Sequence, residues 1–108
     1  MIQNEIINRI VKDIVEETNP EKIILFGSYA NGTQNEDSDL DLLIVEKESF
    51  GKIRSRRKEI NRVRKKLSEY RISKDILIYD INEYNDWKNS LNHIIGRSIR
   101  EGKVLYER

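Results

Sequence analysis

Two aspartates, Asp39 and Asp41, stand one residue apart where an apolar run, Leu40–Val45, begins. If that run is a strand, alternate side chains share a face. Both carboxylates then point one way while Leu40 and Leu42 point the other. Adjacent carboxylates repel, and one of the two would ordinarily keep its proton. A divalent cation removes that penalty, and Mg²⁺ favours carboxylates, water and phosphate oxygens as ligands. Before Asp39, and separated from it by ten residues, the chain reads Gly27-Ser28. Glycine permits a sharp turn and leaves room for a ligand beside the main chain. Ser28 suits the N-cap of a short helix over about residues 29–31, whose first N–H groups favour an anion such as a phosphate. Taken together, these residues could hold a nucleoside triphosphate and its metal ions. Gly-Ser and Asp-x-Asp are each common in loops and caps; only their combination in this order is specific.

That geometry needs two strands meeting at one sheet edge. Ile23–Phe26 is short and β-branched, which suits a buried strand, so the first strand is expected over residues 22–26 and the second over 40–46. Gly32 can end the intervening helical turn in a left-handed conformation. Before them, Ile2, Ile6, Ile7, Ile10, Val11, Ile14 and Val15 recur at helical spacing, which predicts an amphipathic helix over 2–17, stopped by Asn19-Pro20. Phe50-Gly51 turns the chain, and a helix is expected over 52–70, with Ile53, Ile60, Val63, Leu67 and Tyr70 on one stripe. Its remaining faces are basic. Three uses are open to them: solvation, docking of an acidic partner or RNA, and contact of Lys52 or Arg56 with the triphosphate. A third strand is expected over 73–79, then a short helix or turn over 82–87 with Trp87 packed on the sheet. A last helix over 89–101 follows, capped by Gly102, and a short strand over 104–106 ends the order. Gly96 inside that last helix marks close packing, and His93, with no histidine or cysteine companion, reads as structural.

At 108 residues the chain is one domain, 1–108, able to bury roughly 65% of its unfolded surface. Charged residues make up 36% of it, but the net charge is only +1, so no global field draws it to nucleic acid or membrane. With no cysteine and a single histidine, disulfides and a Cys/His zinc site within the chain are excluded; any metal must be held by oxygen. No apolar stretch approaches the length of a membrane span and Met1–Arg9 has no signal-peptide core, so a cytoplasmic protein is expected.

Gly27-Ser28, the ten-residue gap and Asp39-Leu40-Asp41 resemble the signature of the nucleotidyltransferase superfamily that includes DNA polymerase beta, and the small size resembles its minimal nucleotidyltransferase branch. The strong match covers about residues 22–45; Asp75 and residues 99–106 match more weakly. The resemblance implies an α/β (α+β) fold: a small mixed sheet of three to four strands with helices packed mainly on one face. It implies a third carboxylate on the strand after the long helix. Asp75 fits this better than Asp80, which lies an odd number of residues away and faces the opposite side. It further implies that Asp39, Asp41 and Asp75 hold two Mg²⁺ ions, that Gly27 and Ser28 grip the phosphates of ATP, and that AMP passes to a hydroxyl acceptor.

Members of that branch are often encoded beside a helical HEPN-domain protein, as the antitoxin of a toxin–antitoxin pair. Larger relatives carry an extra helical domain as the other wall of the cleft. The expected acceptor surface is therefore a partner or a second copy of the chain, and the expected acceptor a tyrosine of a HEPN toxin. Two other classes compete: a non-catalytic antitoxin that covers a HEPN ribonuclease by contact, and a subunit that adenylylates a small molecule.

Overall fold

The computed structural model describes residues 2–108. Met1, the first residue of the segment read for a leader, lies outside them. Helix α1, Asn4–Thr18, buries Ile7, Ile10 and Ile14 on one stripe and stops at Asn19, whose left-handed backbone (φ 48°, ψ 57°) returns an N–H to the Val15 carbonyl. Pro20 then forbids further helix. Strand β1, Lys22–Phe26, leads through the four-residue α2, Ser28–Asn31, to β2, Leu40–Glu46. Both strands have the expected bounds.

Helix α3, Arg56–Lys66, is shorter than its stripe of apolar residues suggested. Ser55 is its N-cap: extended in backbone, it accepts the Lys58 N–H on its side chain. Ahead of it, the Gly51 N–H donates to the Arg54 carbonyl and closes a turn. Ile53 therefore falls outside the helix and is fully exposed, while Val63 and Leu67 are buried. Strand β3, Lys74–Asp80, ends on Asp80, which caps α4, Ile81–Trp87, through a reciprocal pair of hydrogen bonds with Glu83. Helix α5, Ile94–Glu101, begins later than residue 89 because His93 is its cap, accepting the Ile95 N–H at Nδ1. Trp87 does not lie on the sheet. It is 46% exposed and stacks on His93 with ring centroids 4.6 Å apart. Gly96 is where close packing was expected: a Cβ there would collide with the Ser90 carbonyl. Strand β4, Lys103–Glu107, closes the order.

The four strands lie in the order β3-β2-β1-β4. β1 is antiparallel to both of its neighbours, and β2 and β3 are parallel, joined by the α3 crossover. Alternation sorts the side chains into two cores. Ile23, Leu25, Leu40, Leu42, Ile44, Ile76 and Ile78 meet α1 and α3 in the larger one. Ile24, Leu43 and Val45 meet Tyr84 of α4 and Ile95 of α5 in the smaller one. No helix among the described residues is long and apolar enough to cross a membrane.

Candidate active site

Register places the acidic residues. Asp41 pairs with Phe26 of β1 on one side and with Asp75 of β3 on the other. Adjacent strands lie about 4.8 Å apart, and side chains at paired positions share a face. Asp41 and Asp75 are therefore neighbours on the face of the smaller core. Asp39 lies just ahead of β2 and is exposed, as is Asp75; Asp41 is half-buried. Burial first, then the charges of Asp75 and Asp39, push the Asp41 carboxyl above its usual range. Asp39 is thus within electrostatic reach, although no three acidic or histidine side chains among the described residues are gathered at metal-binding distance.

The donor set nonetheless fits a hard cation. All its candidate atoms are oxygen, the repulsion at Asp41 is what a cation would relieve, and the two exposed aspartates have room to turn inwards. Asp80, the rival third carboxylate, is occupied elsewhere. It is buried at the far end of β3 and accepts N–H groups from Glu83 and Phe50 at 2.9 and 3.0 Å.

Gly27 is the cap of α2, so Ser28 stands in the first turn instead of capping it. The Gly27 backbone (φ 72°, ψ −156°) lies in a region essentially closed to residues with a Cβ. A Cβ there would also land inside the contact distance of Asp41 Oδ2 and 3.1 Å from its Cγ. The absent side chain is what lets the carboxylate lie against the turn. Gly32 ends α2 in the expected left-handed conformation (φ 80°, ψ 13°).

A cleft of about 680 Å³ opens beside this turn, with Gly27 and Ser28 on one wall and Arg97, Ser98 and Glu101 of α5 on the other. Arg97 is exposed and held only by a 3.9 Å pairing with Glu101. Nothing in its spacing singled it out; it reaches the site because α5 docks on β1. Two further clefts border the carboxylates, one reaching Asp39 and one reaching Asp75.

The basic residues of α3 are partly spoken for. Arg56 forms a two-pronged ion pair with Glu83 and donates to the Ile78 carbonyl, so it is bound to the far half of β3 and not aimed at the turn. Arg54 and Arg62 converge on Glu59, and Arg54 also bonds the buried Glu46. Arg57, Lys58, Arg64, Lys65 and Lys66 remain exposed.

The family model described as a nucleotidyltransferase domain matches residues 6–97. The chain is 40% identical over 79 residues to MJ0141 of Methanocaldococcus jannaschii, a protein named as a candidate protein adenylyltransferase; the match covers 71% of this chain and 75% of that one. A candidate nucleotidyltransferase from Sulfolobus solfataricus superposes with a TM-score of 0.66 at 21% identity, covering 96% of this chain and 79% of that one. A chain of a toxin–antitoxin complex crystallised with AMP-PNP superposes with a TM-score of 0.58 at 24% identity, covering 98% and 75%.

Proposed function

Because this chain belongs to the nucleotidyltransferase domain family, we propose that it transfers AMP from ATP to a hydroxyl of a partner protein, most specifically a tyrosine of a HEPN toxin that it serves as antitoxin. The observation that carries the reading is the in-register pairing of Asp41 with Asp75, with Gly27 close against Asp41 and the Gly27-Ser28 cleft beside them. The name of the Methanocaldococcus relative supports a protein acceptor, and the likeness to a toxin–antitoxin chain supports the kind of partner.

In this mechanism Gly27 and Ser28 hold the β- and γ-phosphates from one wall of the cleft, and Arg97 faces them from the other. Asp39, Asp41 and Asp75 are the residues that would hold two Mg²⁺ ions. When bound, these supply charge neutralisation at the triphosphate and activation of the attacking hydroxyl. The acceptor oxygen forms a bond to the α-phosphorus, the bond from that phosphorus to the bridging oxygen breaks, and pyrophosphate leaves. Asp75, on the exposed edge of the pair, takes the hydroxyl proton.

The test combines the protein, Mg²⁺, α-labelled ATP and the product of the neighbouring gene. Label on that partner, mapped to a tyrosine and lost in an Asp39→Asn, Asp41→Asn double variant, is the expected result. No label, together with undiminished neutralisation by the double variant, would replace the enzyme by an antitoxin that acts through contact alone. The open spacing of the three carboxylates favours that as the second reading.

A further inference from the structure

A second cleft, of about 850 Å³, reaches the carboxylates at Asp39. Its walls come from the start of α1, from α2, from the loop before β2 and from the turn after α3. Ile2, Ile6, Tyr29, Tyr70 and Ile72 supply an apolar lining. The two tyrosines are fixed in place: Tyr70 donates to Asp13 of α1 at 2.6 Å, and the Tyr29 hydroxyl accepts the Ile2 N–H at 3.1 Å. The polar rim is one-sided. Glu36, Asp37, Asp39 and Glu69 face a single cation, Arg71.

We propose that this cleft is the acceptor groove, and that its occupant is a partner's polypeptide segment whose hydroxyl residue is flanked by lysine or arginine. The proposal rests on the transferase reading and adds the acceptor's chemistry to it. Three considerations lead there. The cleft meets the carboxylates at Asp39 and shares no lining residue with the Gly27-Ser28 cleft, so an acceptor and a triphosphate can be bound at the same time. The charges divide the labour. A triphosphate is repelled by the acidic rim and received on the side of Arg97, whereas a basic segment is drawn to the rim. The apolar lining then selects among cations. It offers burial to an aromatic or aliphatic side chain, which a polyamine or a cationic sugar cannot use to the same extent.

The test is a binding measurement independent of transfer. Fluorescence anisotropy compares a tyrosine peptide flanked by lysines with one flanked by glutamates, on the wild type and on a Glu36→Lys, Asp37→Lys, Glu69→Lys variant. All three positions are exposed, and Glu69→Lys alone serves if the triple variant folds poorly. The wild type should bind the lysine peptide at least tenfold more tightly, the variant should invert the preference, and ATP affinity should not fall, because the rim that repels a triphosphate is gone. Ile72→Ala should weaken the lysine peptide severalfold and leave spermidine binding unmoved. No binding of either peptide, a preference that survives charge reversal, or an Ile72→Ala effect equal for peptide and spermidine would each overturn the proposal. Asp41→Asn protein should bind the peptide as the wild type does. Failure of the transfer assay would therefore leave this groove standing, and loss of the groove would leave transfer standing.

Discussion

Gly27→Ala separates two demands that meet at one residue. The first is conformational: alanine at φ 72°, ψ −156° costs on the order of 1–3 kcal/mol. In a domain of this size that is a fall in melting temperature of roughly 5–20 °C. The second is steric. The new methyl would overlap Asp41 Oδ2 and press on its Cγ at 3.1 Å, so the carboxylate must retreat by on the order of 1 Å to restore ordinary contact. A displacement of that size at a reacting centre costs about 10²-fold in rate. Gly32→Ala is the matched control. It too has a positive φ, 80°, but a Cβ there meets nothing within 4 Å. It should lose about 1 kcal/mol of stability and keep its activity. Thermal melts followed by circular dichroism give the stabilities. Transfer of label from ATP, measured at a temperature where both variants are folded, gives the rates. Equal transfer rates in the two variants would refute the claim that Gly27 is needed for the placement of Asp41.

Mg²⁺-ATP should raise the melting temperature of the wild type, by about 2.7 kcal/mol of stability at a hundredfold excess over Kd, and should do much less for the Asp39→Asn, Asp41→Asn variant; equal shifts in calorimetry would count against the carboxylates as ligands. At the far end of the sheet, burial and then the neighbouring Glu59 push Glu46 up to about 8, while Arg62 and Arg54 outweigh burial and hold Glu59 down to about 2. A raised acid stabilises while protonated, so the Glu46 contribution is complete below the ordinary 4.5 and is lost as pH rises from there through about 8. Urea titrations should therefore show wild-type stability falling across that window and Glu46→Gln, a neutral stand-in, falling much less; parallel curves would show that Glu46 is ionised in the fold. Asp80→Ala strips the acceptor from the Glu83 and Phe50 N–H groups and should cost about 2–4 kcal/mol in the same titrations, with transfer per folded molecule unchanged.

Those contrasts follow from what a sequence exposes and what it conceals. The strands over 22–26 and 40–46 were legible because their periodicity is local: β-branched runs bounded by Pro20, Gly27 and Glu46. Parity shows only that Asp75 and Asp80 face opposite sides; the family resemblance selects Asp75, and the register that pairs it with Asp41 is set by the packing of β2 on β3. Helix α3 is shorter than its spacing predicts because Ile53 continues the apolar stripe, whereas Ser55 offers the backbone a better cap two residues on. Trp87 is expected on the sheet but stacks on His93, which lies beyond the following loop, a tertiary contact that no local spacing reveals. Arg97 and the buried Glu46 carried no sequence signal. Each acquires its role from a docking event: α5 on β1 for the former, and the fold-back of Arg54 and Glu59 for the latter.

The coupling between core and site runs deeper than proximity. In β2, Leu40, Leu42 and Ile44 fill the larger core, while Asp41, Leu43 and Val45 face the other way. A one-residue slip of β2 against β1 and β3 would drive Asp41 in among α1 and α3 and turn three large aliphatic side chains out of that core. Asp41 would then be buried without a partner among aliphatic side chains, so the slipped register is closed to the folded chain. The same alternation in β3, with Ile76 and Ile78 inward, holds Asp75 on the face of Asp41. Two like charges are thus kept adjacent by apolar burial that greatly exceeds their mutual repulsion. That is how a small domain can hold two carboxylates side by side on one face of its sheet.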